Sequence, residues 1–288
     1  MFRCGLIAFV ALSSVTFPAT GWAYEIKPKV PETAFSPKLQ PDIVGLSSNT
    51  EGSKASPLFE AYLKDLPGVK PETAQQKFGG TNVTYVTAMK FTLAPTSTHP
   101  GESMLAVFSS PASANRAYYI SRVLGFSAEK QPSKAEMIER VTAKYGQPTA
   151  IGDGRMYYFY KAGKVMSVKQ KYTPASALEA LNAPLNPKAA VALNDANGRG
   201  SCVAELKRAQ ALEKTLDKLV TEAKAANCDA LVSVEIFPGI TPDRVSKAEF
   251  TLIDFKQIIS AAKIDADAFA AEKNEALNKT PLGNAPKL

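Results

Sequence analysis

The chain has 288 residues, with 34 Lys plus Arg against 27 Asp plus Glu and a formal net charge of +7. An apolar share of 45% excludes a chain disordered throughout, and the length suffices for one large domain or two small ones. The single His, His99, excludes any multi-histidine metal site.

Residues 1–23 read as an export signal peptide. Arg3 precedes an apolar stretch from Cys4 to Val15, Pro18 interrupts it, and Gly21 and Ala23 supply the small residues that a signal peptidase accepts before its cut. Cleavage is expected between Ala23 and Tyr24. The apolar run is shorter than the ~20 residues that span a bilayer. No later stretch is apolar enough to do so, and the mature chain is expected to be periplasmic or secreted and not membrane-spanning.

Residues 24–56 hold Pro28, Pro31, Pro37 and Pro41 among Lys, Ser and Asn, and read as an extended linker. A first α+β unit is expected over 57–183. It opens with a helix at 57–65, with Pro57 in the first turn. Strands at 83–93, 103–109 and 117–126 follow as an antiparallel meander. In the first of these, Val83, Tyr85, Met89, Phe91 and Leu93 fall on one face by the two-residue period. Ser133 lies three residues before Glu136, a capping box, and Met137, Ile138, Val141 and Tyr145 then recur at helical spacing up to Gly146 and Pro148. This predicts a helix over 133–145. A hairpin turning at Lys161–Lys164 and a helix at 175–182 complete the unit.

The second unit, 184–276, begins with a loop to residue 201. A strand at 202–208, a helix at 211–226, strands at 230–237 and 248–253, and a helix at 255–275 are expected. Residues 277–288 read as a flexible tail. After cleavage only Cys202 and Cys228 remain, and in an oxidising compartment such a pair forms a disulfide. The bridge would stabilise the fold by roughly 3.5 kcal/mol on the chain-entropy estimate. Bridged Cα atoms lie within about 7 Å, whereas one helix through 203–227 would hold them on the order of 35 Å apart. The segment must double back, and an extended 202–208 laid against the helix satisfies the lengths.

Strands joined by short connections with helices between them indicate an α+β fold, a mostly antiparallel sheet with helices packed on one face. The order of elements in 126–172 resembles that in 202–253, which allows two similar β/α subdomains.

No residue pattern assigns a catalytic, cofactor-binding or metal site. His99 lies between Thr98 and Pro100 in a loop, and neither Ser97 nor Ser103 carries a sign of activation. Ser127–Lys130 matches S-x-x-K but precedes the helix start at Ser133, and Lys161 follows too closely for a penicillin-recognising enzyme. Asp195–Gly200 resembles the start of a calcium loop but places Arg199 and Leu206 where acids are required. Gly-rich phosphate loops are absent from the sequence. A pair of Asp or Glu acting as acid and base leaves no trace in sequence, because the fold sets its spacing. Lys207, Arg208, Lys214, Lys218 and Lys224 alternate with Glu205, Glu213, Asp217 and Glu222, a solvated face that does not favour nucleic acid. The expected function is therefore that of an exported, non-enzymatic binding or interaction module of the cell envelope. Its expected partner is an anionic envelope component or a protein. The alternatives are an envelope hydrolase with scattered Asp and Glu, or a secreted factor acting outside the cell.

Overall fold

A computed structural model describes residues 25–36, 38–66, 68–96, 99–166, 171–185 and 201–279. The signal peptide with its cleavage site, the calcium-loop match at 195–200 and the end of the C-terminal tail lie outside these residues.

Among the described residues, nine strands form one antiparallel sheet: β1 (Glu72–Lys77), β2 (Thr84–Leu93), β3 (Gly101–Phe108), β4 (Ala117–Gly125), β5 (Ala150–Gly152), β6 (Arg155–Lys161), β7 (Lys164–Val165), β8 (Ala230–Pro238) and β9 (Val245–Asp254). The spatial order is β1-β2-β3-β4-β9-β8-β6-β5, with β7 also on β6. β4 pairs with β9 from Tyr119↔Ile253 to Gly125↔Lys247, so strands from both halves of the chain share one sheet. The helices are α1 (Gly52–Leu63), α2 (Lys134–Tyr145), α3 (Pro174–Leu181), α4 (Cys202–Ala211), α5 (Leu216–Ala225) and α6 (Phe255–Lys279).

The α+β class and the antiparallel sheet are as the sequence implies, but helices cover both faces rather than one. α1, α2 and α3 pack on the face carrying Phe91, Ile120, Met156, Tyr158, Val232 and Leu252. α4, α5 and the start of α6 pack on the face carrying Tyr119, Tyr157, Phe159, Leu231 and Ile253. The cause lies in β6 and β8, whose residues are apolar on both sides of the pleat, as strands buried on two faces must be.

Residues 202–208 are helical, not extended. Cys202, Val203, Leu206 and Ala209 form a buried stripe at helical spacing, and the Ser201 hydroxyl caps the helix by accepting from the amides of Val203 and Ala204. The chain leaves α4 at Leu212 and returns through α5, which starts at Leu216 rather than residue 211. This helical hairpin meets the doubling-back requirement, and the Cys202–Cys228 disulfide closes it with Cα atoms 6.0 Å apart.

The Pro-bearing segment is not a free linker. Ala34, Phe35, Ile43 and Leu46 are buried, and Phe35 meets the Tyr160 ring edge-on at 4.9 Å. Thr33 Oγ1 and the Ala34 amide donate to Asp254, the buried residue that also accepts from the Gln257 amide at the start of α6. The two-residue period of β2 is broken by a bulge, since Gln75 faces Val86 while Ala74 faces Ala88. Tyr85 consequently leaves the face of Met89 and Phe91.

Candidate binding groove

Rows of side chains cross the sheet on the α2 face. Phe91, Met104, Arg122, Phe250, Val234 and Met156 stand opposite one another on β2, β3, β4, β9, β8 and β6. Arg122 is the only charged member. In the adjoining row of Leu93, Glu102, Leu124, Ala248 and Ile236, Glu102 is likewise the only charged member. These two apolar rows thus carry one cation and one anion.

The pair is closed by Tyr62 of α1. Arg122 Nε donates to Glu102 Oε1 at 2.7 Å, and Nη2 donates to the Tyr62 hydroxyl at 2.7 Å. That hydroxyl donates in turn to the Glu102 carboxylate, with its oxygens at 2.8 and 2.9 Å. Burial, opposed by Arg122, pushes the Tyr62 phenol up to about 12, so it remains a donor at neutral pH. Removing an ion pair from water is expensive unless its geometry is good and its other donors and acceptors are satisfied. Here the Glu102 side chain is 5% exposed and that of Arg122 is 23% exposed. Two of the five guanidinium hydrogens are committed, leaving donors on the exposed side.

Arg122 lines a groove of about 430 Å³ beside α2. The floor is Leu124, Phe126 and Phe250, each half-buried, and the wall is Met137, Val141 and Tyr145 of α2. The wall follows from the sequence: the Ser133 hydroxyl accepts from the Glu136 amide, Gly146 ends the helix at φ 80°, and the i, i+4 rows between them face the sheet. Lys130, Arg140 and Lys144 also line the groove. Arg140 pairs with Glu136 at 2.7 Å and Lys144 with Asp42 at 2.9 Å, but both pairs are open to water. Such exposed pairs contribute about 0–1 kcal/mol and exchange partners readily.

Two other openings are chemically different. One, of about 630 Å³ between α2 and α3, is lined by Ile138, Pro148, Ile151, Tyr172 and Ala177, with Glu136 and Glu139 at its edge. The other, of about 450 Å³ beside α6, holds Asp265, Asp217, Tyr85 and Tyr118. Burial raises the Asp265 carboxyl, while a hydrogen bond from Thr215 lowers that of Asp217. Opposite shifts in one cleft are the mark of an acid–base pair, but each carboxylate here has structural work. Asp265 accepts from the Ser110 amide and hydroxyl, holding the turn after β3. Asp217 is an exposed acid in the first turn of α5, where the helix dipole favours it.

The residues singled out in the sequence do not come together. Cys202 and Cys228 form the buried disulfide. His99 is exposed in the β2–β3 connection, its amide donating to Thr96 Oγ1 at 3.0 Å. Lys130 of the S-x-x-K match reaches the groove, whereas Lys161 donates to Asn227 at 2.9 Å elsewhere. Among the described residues, no three His, Cys, Asp or Glu side chains gather closely enough to hold a metal ion. Arg122, Glu102 and Tyr62 escaped the sequence reading. A signal was present in β3, whose two-residue burial period places Glu102 on the buried face, while β4 shows no such period and gives no sign of Arg122 beyond its being the one charge of the strand. No family model matches the sequence, and no curated protein or solved structure shows significant similarity to it.

Proposed function

We propose that this is an exported, non-catalytic binding protein of the cell envelope that holds its ligand in the groove beside α2. The observation that carries the reading is Arg122. A guanidinium held by Glu102 and Tyr62 stands within an apolar row, at the floor of an open groove whose Leu124, Phe126 and Phe250 are only partly buried. Ligand sites combine an apolar lining with a few oriented polar groups in this way. The oxidised Cys202–Cys228 pair and the leader-like residues 1–23 support maturation outside the cytoplasm.

The test is intact-mass and native mass spectrometry on protein purified from its own cells. The expected product starts at Tyr24, has two hydrogens fewer than the reduced chain, and carries a small-molecule adduct that Phe250→Ala diminishes. Turnover of envelope polymers or esters, abolished by Asp265→Asn with the fold intact, would contradict the reading.

A further inference from the structure

We infer that the ligand of this groove is a single-chain anionic amphiphile, its oxyanion head on Arg122 and its apolar chain over Leu124, Phe126 and Phe250. The inference rests on the groove reading above and adds the chemistry of the occupant.

Charge decides the head. The groove collects Arg122, Lys130, Arg140 and Lys144 against one lining carboxylate, Glu136. Glu102 offsets Arg122 but also orients it, leaving the remaining guanidinium hydrogens for a carboxylate or phosphate, the oxyanions that a fixed planar fork recognises best. Arg140 is paired with the exposed Glu136 carboxylate, and Lys144 with that of Asp42 while also lying over the Tyr145 ring, so both can turn to an arriving anion without stranding a buried charge.

The floor decides the tail. Leu124, Phe126 and Phe250 are only partly buried, and covering their remaining surface would recover roughly 25 cal/mol for each Å² of apolar surface taken from water. A free phosphate cannot do this. A neutral chain can, but it leaves the guanidinium hydrogens not taken by Glu102 and Tyr62 without an acceptor under the chain. A volume of about 430 Å³, near the low end of ligand pockets, fits one chain rather than a two-chain lipid.

The experiment is calorimetric titration of the mature protein, below micelle-forming concentrations, with dodecanoate, dodecyl phosphate, dodecanol and inorganic phosphate. Vesicles of phosphatidylglycerol provide a membrane arm. The variants are Lys130→Ala, Phe250→Ala and the charge-neutral double Glu102→Gln/Arg122→Met, whose folds are checked by thermal unfolding. The expected result is at least about a tenfold preference for an acid over dodecanol, the scale of one charge-assisted hydrogen-bonded pair. The double variant loses that preference, and Phe250→Ala weakens acid and alcohol alike. Preference for dodecanoate or for dodecyl phosphate tells which oxyanion is read, and either supports the inference. Equal binding of acid and alcohol, both weakened by Phe250→Ala, overturns the anionic head while leaving the groove as a binding site. Competition by inorganic phosphate as strong as by dodecanoate, or binding to vesicles without binding to monomers, overturns the single-chain ligand. If no compound binds, or if neither the double variant nor Phe250→Ala changes binding, the inference and the groove reading fail together.

Discussion

Arg122→Met removes the cation from the sheet face and strands a carboxylate. Glu102, with a side chain 5% exposed, then keeps only the Tyr62 hydroxyl of its two described side-chain partners. Breaking a buried ion pair from one side costs about 3–5 kcal/mol. Because the Arg122 side chain is 23% exposed, water from the groove reaches the vacated site, and the expected loss is nearer about 2–3 kcal/mol. In Glu102→Gln/Arg122→Met the amide oxygen still accepts from Tyr62, and Met continues the row between Met104 and Phe250. No charge is left unpaired, so the double variant is expected within about 1 kcal/mol of the parent. Since Glu102→Gln alone also costs stability by leaving Arg122 unpaired, the cycle should then show a coupling of at least about 1 kcal/mol. Urea unfolding at neutral pH with the disulfide intact measures it, read at constant m so that the unfolded reference is the same. A loss under about 0.5 kcal/mol for Arg122→Met, or strict additivity, would refute the closed network and with it the orientation of Arg122.

Asp254 gives a pH test. Burial, opposed by hydrogen bonds from Thr33, Gln257 and Ala34, raises its carboxyl from 3.8 to about 6. A raised folded-state value means that the native protein holds this proton more tightly than the unfolded chain. The associated stability is present below pH 3.8 and is lost as the pH rises through about 6. The parent should therefore lose roughly 3 kcal/mol across that window relative to Asp254→Asn, and parallel stability curves would contradict it. Cys202→Ser/Cys228→Ser should cost about 3.5 kcal/mol by chemical denaturation. An unchanged midpoint would mean that the helical hairpin does not need its bridge. Asp265→Ala should cost about 1–3 kcal/mol through the lost anchor at Ser110 while leaving ligand affinity unchanged. Lys130→Ala, at an exposed position, should leave stability within about 0.5 kcal/mol and weaken only an anionic ligand.

What the sequence reveals follows the range of the forces involved. α2 is legible because its cap, stripe and stop are local: Ser133, Met137, Val141 and Gly146 lie within a few turns. The bridge between Cys202 and Cys228 is legible because, with Cys4 assigned to the expected leader, two cysteines leave one pairing, yet the path between them is not. CVAELKR has no strand alternation, and its stripe of Cys202, Val203, Leu206 and Ala209 becomes decisive only with a sheet face to bury it. β1 carries no apolar signal at all, since ETAQQK is exposed throughout and exists as a strand because β2 offers it a partner. The anchoring of Thr33 and Ala34 by Asp254 spans more than two hundred residues and could be found only in the fold. The groove combines both cases. The inward charge of β3, Glu102, can be read from the period, whereas Phe250 beside Arg122 depends on a pairing between strands over a hundred residues apart.

Chemical-shift mapping of a dodecanoate titration locates the site on the molecule itself. The account expects saturable shifts in the amides of Leu124, Phe126, Met137, Val141 and Phe250 and in the methyl groups of Leu124, Met137 and Val141, with the Arg122 Nε resonance moving alongside them. Shifts centred on Asp265 and Tyr85 beside α6, or on Ile151 and Ala177 between α2 and α3, would place the binding site elsewhere and contradict it.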